Sequence, residues 1–301
     1  MTTKKLIIFI LKLCITAGLV FFVGSALRKD FQKVQLRVLN SYIPRSYDCL
    51  IALIQDNGTC DERSIRQYIR YYQIVAFSLP KRDEAYGMLG FCYHHLGKTK
   101  EAVEYYRKAT TLNPYYFWHH YNLGLIFYNA GHYQEAEKSF KNAVELGAEG
   151  TLKMTVSSKV YRDILGRMRK VDYSLQEQLI SGYRGAYQLL ILIDEQANNF
   201  PGMYSYATRA IKLGFEKDGS LNYSAGRAAY ELKEYEKAVI FLQESLKLRE
   251  ANADAYNYLG LSLKALGKDR VASALQQRAQ RIRNAAASEN RQAPLTRVRF
   301  F

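Results

Sequence analysis

Cysteine is scarce in this chain, four in 301 residues, and no two of them stand as CxxC, so zinc ribbons and thioredoxin-like redox centres have no support. GxxxxGKS/T, GxSxG, HExxH and EF-hand loops are missing as well. Carboxylates such as Glu101, Glu104, Glu135 and Glu137 fall on ordinary solvated helix faces, so the sequence indicates no catalytic site, no cofactor and no small-molecule substrate. Histidine is limited to five residues, all between His94 and His132. The adjacent pairs His94–His95 and His119–His120 would point in different directions on a helix, and no third ligand accompanies them, so no metal centre is expected. Acidic residues are also in deficit, 28 against 43 Lys plus Arg, and the formal charge of +15 favours anionic lipid, acidic protein or nucleic acid as neighbours. What is present in ordinary amount is apolar surface: 48% hydrophobic and 24% charged residues exclude a disordered composition.

The longest apolar run is Leu6 to Leu27, interrupted only by Lys12, Thr16, Gly18, Gly24 and Ser25. About 20 mostly apolar residues span a bilayer, and Lys12 lies near enough to one end to carry its ammonium to the headgroups. Residues 6–27 are therefore expected to form a single transmembrane anchor, with a basic tail at 1–5 and a basic juxtamembrane linker at 28–48 that is drawn to anionic lipid. A cleaved signal peptide is the competing reading, since Gly24-Ser25-Ala26 offers a cutting site, but its apolar core would be unusually long. Both flanks are basic, through Lys4-Lys5 and through Arg28, Lys29, Lys33 and Arg37, so the side of the membrane stays open. Cys49 and Cys60 would close a short loop around Asn57-Gly58, either as a disulfide in an oxidising compartment or as two free thiols.

A period of 34 residues dominates the remainder. Tyr86, Leu89, Gly90, Tyr93, Ala102, Tyr106, Ala109 and Pro114 are followed 34 residues later by His120, Leu123, Gly124, Phe127, Ala136, Phe140, Ala143 and Ala148. The template returns at Ala225, Gly226, Ala229, Ala238 and Leu242, and again at Leu259, Gly260, Leu263, Ala272 and Ala279. Small residues permit helices to approach, large ones fill the volume beside them, and Gly97, Gly131 and Gly267 mark the turns. The pattern resembles the tetratricopeptide repeat family. That resemblance implies an all-α, TPR-type α-solenoid, a right-handed superhelix of helix-turn-helix repeats, here preceded by the transmembrane helix. Residues 49–286 accommodate seven periods: 49–82 (degenerate), 83–116, 117–150, 151–183 (degenerate), 184–218 (degenerate, with a one-residue slip), 219–252 and 253–286. A local insertion in place of 151–183 is the alternative, Ser174-Leu175-Gln176-Glu177 is expected to open that interval's second helix, and 287–301 is expected to be a flexible basic tail.

In such an array the first helices line the inner face, and helical spacing selects Phe91 and His94, then Trp118, Tyr121, Leu125 and Tyr128, then Lys159 and Arg162, then Tyr223, Arg227 and Tyr230, with Lys264 extending the series. Aromatic and cationic groups together suit an extended protein or peptide segment with acidic and apolar side chains. Some members of the family hold a C-terminal carboxylate through Lys and Asn residues; only Asn122 resembles that set, so the specificity is not transferred. The expectation is a membrane-anchored scaffold or adaptor. Two alternatives are a nucleic-acid-binding repeat protein, from Lys159, Arg162, Arg167, Arg169 and Lys170, against which the anchor argues, and an import or translocation receptor.

Overall fold

The computed structural model describes Cys49, Leu53 and residues 60–145, 175–249 and 251–290. The apolar segment 6–27, the linker 28–48, most of 49–60, Lys159, Arg162, the Leu165-Gly166 turn and the tail beyond 290 lie outside the described residues.

Asp61 opens the first described helix, α1 (Glu62–Ser78), by accepting the Ser64 backbone N–H on its side chain at 2.9 Å. The apolar residues Ile65, Tyr68, Ile69, Tyr72, Val75 and Ala76 fall on one stripe and all are buried. Pro80 then prevents continuation. Cys49 and Cys60 are joined in a disulfide just upstream, with Cα atoms 5.1 Å apart. The helices α2 (Asp83–His95) and α3 (Thr99–Leu112) complete one compact unit that ends at Leu112, in which α1 packs on α2 and α2 on α3.

The second unit contains α4 (Phe117–Asn129), α5 (Tyr133–Glu145), α6 (Leu175–Gln196), α7 (Phe200–Ala210), α8 (Gly219–Glu231), α9 (Tyr235–Leu248), α10 (Ala253–Ala265) and α11 (Asp269–Asn290). Helices pair as hairpins α4/α5, α6/α7, α8/α9 and α10/α11, and each hairpin packs on the next. The small-large alternation operates as expected. A Cβ added to Gly124 would lie 2.7 Å from the Phe140 ring, one on Gly226 2.6 Å from Leu242 Cγ, and, in the first unit, one on Gly90 2.7 Å from Tyr106. In each case the residue 16 positions on fills the notch left by the glycine.

The five hairpin turns share one hydrogen-bonding pattern. Gly97 N–H donates to the His94 carbonyl and Lys98 N–H to that of Tyr93, both at 2.9 Å. The same pair of bonds recurs at Gly131–His132, Asn198–Asn199, Lys233–Glu234 and Gly267–Lys268. This is the helix-terminating motif that requires a positive φ, and the five residues adopt φ of 70°, 78°, 53°, 63° and 75°. Three are glycine; Asn198 and Lys233 accept the left-handed conformation at some cost.

One detail departs from the seven-period reading. The boundary between the intervals 151–183 and 184–218 implies a break after the helix opened by Ser174-Leu175-Gln176-Glu177, yet α6 runs without interruption from Leu175 to Gln196. Gly182 and Gly185, which weaken a helix in isolation, here make room for the Trp118 and Tyr121 side chains of α4. Helix α5 packs directly against α6. The one-residue slip has a physical site as well: after α7 the chain makes a π-turn, Ile211–Phe215, with Gly214 at φ 102°. The wider i→i+5 turn absorbs the additional residue between the turns at Asn198 and Lys233 and restores the register.

Candidate functional site

Along α8, the glycine notch at Gly226 fixes which face meets α9, and this turns Tyr223, Arg227 and Tyr230 toward another face at i, i+4 and i+7. All three are half-buried. The Arg227 guanidinium forms an ion pair with Glu195 of α6 and lies over the Tyr258 ring of α10, 5.6 Å from its centroid. Tyr223 and Tyr230 meet the same ring edge-on at 6.3 and 5.4 Å. Three successive first helices thus converge on Arg227: α6 supplies its counter-charge, α8 two tyrosines and α10 the ring beneath it. Burial pushes the Tyr223 hydroxyl up to about 12, which keeps it a hydrogen-bond donor at neutral pH.

Glu195 and Tyr258 were not among the residues selected from the sequence. Tyr258 stands 35 residues after Tyr223, and Glu195 stands 35 before Tyr230, whereas the template period places Asn257 and Gln196 at those positions. The slip at 184–218 was the available signal for Glu195. Nothing in the spacing distinguished Tyr258 from Asn257.

Other expected lining residues serve packing first. The Trp118 ring edge would lie 2.8 Å from a Cβ on Gly182, and the Tyr121 hydroxyl 2.9 Å from one on Gly185. Phe117 stacks on Tyr183 at 4.4 Å in the same seam. Leu125 and Tyr128 pack against that core as well, with the Tyr128 ring 5.5 Å from Tyr133 across its own turn. The reason is that α6 presents glycines to α4 where a regular first helix would present larger side chains. In the first unit, Phe91 lies 4.4 Å from the His95 ring, and burial lowers the His94 pKa, keeping that imidazole neutral. Lys264 is exposed in the last turn of α10.

The histidines have structural partners. His119 is buried, and the Nε2 of His120 is 2.9 Å from the Pro114 carbonyl, to which it donates. Asn222, three periods later, makes the corresponding bond to the Glu216 carbonyl at 2.8 Å, six residues upstream in both cases. Among the described residues no cluster of three or more His, Cys, Asp or Glu is placed to hold a metal. Cys92 is buried with its thiol pushed up to about 12, which makes it a packing residue.

The sequence matches the tetratricopeptide repeat model at residues 83–116, 120–147 and 219–252. The chain carries tetratricopeptide repeats. Among solved structures it is similar to YrrB, a TPR protein with an unusual peptide-binding site, at 14% identity and a TM-score of 0.52, covering 74% of this chain and 98% of that one. A MamA structure is similar at 18% identity and a TM-score of 0.49, covering 72% and 98%. BtubC from P. vanneervenii is similar at 18% identity and a TM-score of 0.46, covering 80% and 95%. The likeness to YrrB establishes the fold alone, an all-helical TPR-type solenoid. No curated protein is matched.

Proposed function

We propose that this protein is a membrane-anchored scaffold that holds an extended protein segment against the first helices of its second unit. The observation that carries the reading is the convergence of Glu195, Tyr223, Arg227, Tyr230 and Tyr258 from three successive helices. Tyrosine rings supply rigid contact area at little entropic cost, and the guanidinium supplies directed, charge-assisted donors. YrrB, with its own peptide-binding site, makes peptide recognition on such a fold a reasonable analogy, and the analogy extends no further. The apolar segment 6–27 supplies the anchor in this proposal, and confinement to a membrane strengthens a weak contact by raising the local concentration of partners. The protein acts by binding and has no catalytic step.

The test is site-specific photocrosslinking in native membranes. A photoreactive phenylalanine analogue at Tyr230 is expected to give one discrete adduct with a protein partner, and Arg227→Ala with Tyr258→Ala is expected to reduce that adduct at least tenfold. Absence of any adduct, or an adduct indifferent to both substitutions, overturns the proposal. Extraction of the membranes with alkaline carbonate tests the anchor separately: an embedded chain stays in the pellet, a peripheral one is released.

A further inference from the structure

We propose that the outer face of α1 is a docking surface for an anionic lipid bilayer. The helix buries an apolar stripe and packs on α2, and among the described residues nothing requires apolar groups on its far side. Arg63, Arg70 and Phe77 nevertheless follow one another at seven-residue spacing along that side, with Arg66 beside them. All four are exposed, and Phe77, at 79% exposure, stands out furthest of the large hydrophobic side chains among the described residues. Among the described residues Glu62 is the one carboxylate on this face, and it pairs with Arg66. Arg63 and Arg70 therefore leave two positive charges uncompensated there.

A row of guanidinium groups ending in a phenyl ring matches the chemistry of a headgroup layer. Guanidinium forks bind lipid phosphate oxygens two at a time, and an aromatic side chain gains by entering the boundary between headgroups and acyl chains. The covalent path keeps this helix within reach of such a surface. Because Cys49 is bonded to Cys60, which directly precedes α1, the tether from Leu27 to the helix shortens from about 33 residues to about 22. This argument about reach rests on residues 6–27 being the anchor; the recognition chemistry of the stripe does not. Once docked, α1 would hold the first unit flat on the membrane.

The probe is the full chain with Phe77→Trp, mixed with vesicles of neutral phosphatidylcholine or with vesicles containing phosphatidylserine. The unsubstituted chain, whose one tryptophan is Trp118, supplies the baseline. With anionic vesicles the added emission is expected to move to shorter wavelength and to be quenched by brominated acyl chains. Both effects should disappear with neutral vesicles, in high salt, and in the Arg63→Glu/Arg70→Glu background. Flotation of each mixture reads the anchor independently, since an inserted chain floats with either lipid. Three results overturn the docking proposal: water-like emission with both compositions whether or not the chain floats, an equal shift with both, or a response to a DNA duplex in place of anionic vesicles. The substituted side chains are exposed, so unaltered melting curves are expected and confirm that each variant is folded.

Discussion

Asp194 is a carboxylate only 3% exposed at the junction of α6 and α7. Its Oδ1 accepts a hydrogen bond from Asn199 Nδ2 at 2.8 Å, while its Oδ2 is buried without a hydrogen-bond partner among the described residues. Gly202 is constrained by the same side chain, because a Cβ there would lie 2.2 Å from Oδ2. Burial raises the Asp194 pKa above its ordinary value, and the Asn199 hydrogen bond, which favours the charged form, offsets only part of this. The folded chain therefore holds this proton more tightly than the unfolded chain. The stabilisation is complete below the ordinary carboxylate pKa of about 4 and is lost as pH rises through the elevated folded value. Asp194→Asn keeps an acceptor for Asn199 and removes the buried charge. Its Tm is expected to exceed that of the parent at pH 7 and to converge with it toward pH 4, as followed by circular dichroism. Neither the burial nor the missing partner was legible in the sequence, where Asp194 reads as an ordinary polar residue near a helix end.

At the scale of the helix, the turns show how much one position controls. The same two hydrogen bonds close five hairpins, and glycine occupies the left-handed residue in three of them. Lys233 occupies it in the α8/α9 turn at φ 63°, with its side chain exposed and its N–H bonded to the Tyr230 carbonyl at 2.9 Å. No hydrogen bond or ion pair of the lysine side chain offsets the conformational cost among the described residues. Lys233→Gly is therefore expected to stabilise the protein by roughly 1 kcal/mol, visible as a higher Tm, since glycine enters this conformation without strain. A loss of stability would mean that the lysine chain contributes packing. The terminal helix shows the complementary effect. Leu246 of α9 is buried, whereas Gln280 of α11, one period later, is exposed, so the last described helix carries a polar residue where its predecessor buries a leucine.

For the molecule as a whole, repeats that touch only their neighbours make stability local. Leu259 of α10 is 5% exposed in the core shared by the last two hairpins. Leu259→Ala is expected to cost roughly 2–5 kcal/mol, the usual range for a buried leucine. Hydrogen exchange should show the loss first in α10 and α11, then in α8 and α9, with α4 and α5 little changed. Uniform loss across α4–α11 would show a single cooperative unit instead.

The sequence by itself determined the period, the helical hairpins, the turn glycines and the alternation of small and large residues. These are local regularities, each written within one or two helical turns or repeated at a fixed interval, so one chain suffices to read them. Only the tertiary structure decided which aromatics stand at the candidate site and which are spent in packing. Trp118 and Tyr121 obeyed the same spacing rule as Tyr223 and Tyr230, yet they fill the room left by Gly182 and Gly185, while Tyr258, one residue off the template, completes the Arg227 cluster. The physical reason is angular: a shift of one residue turns a helical side chain by about 100°, so its partner depends on how two helices are set against each other. That setting comes from the packed seam between them and appears in neither helix alone.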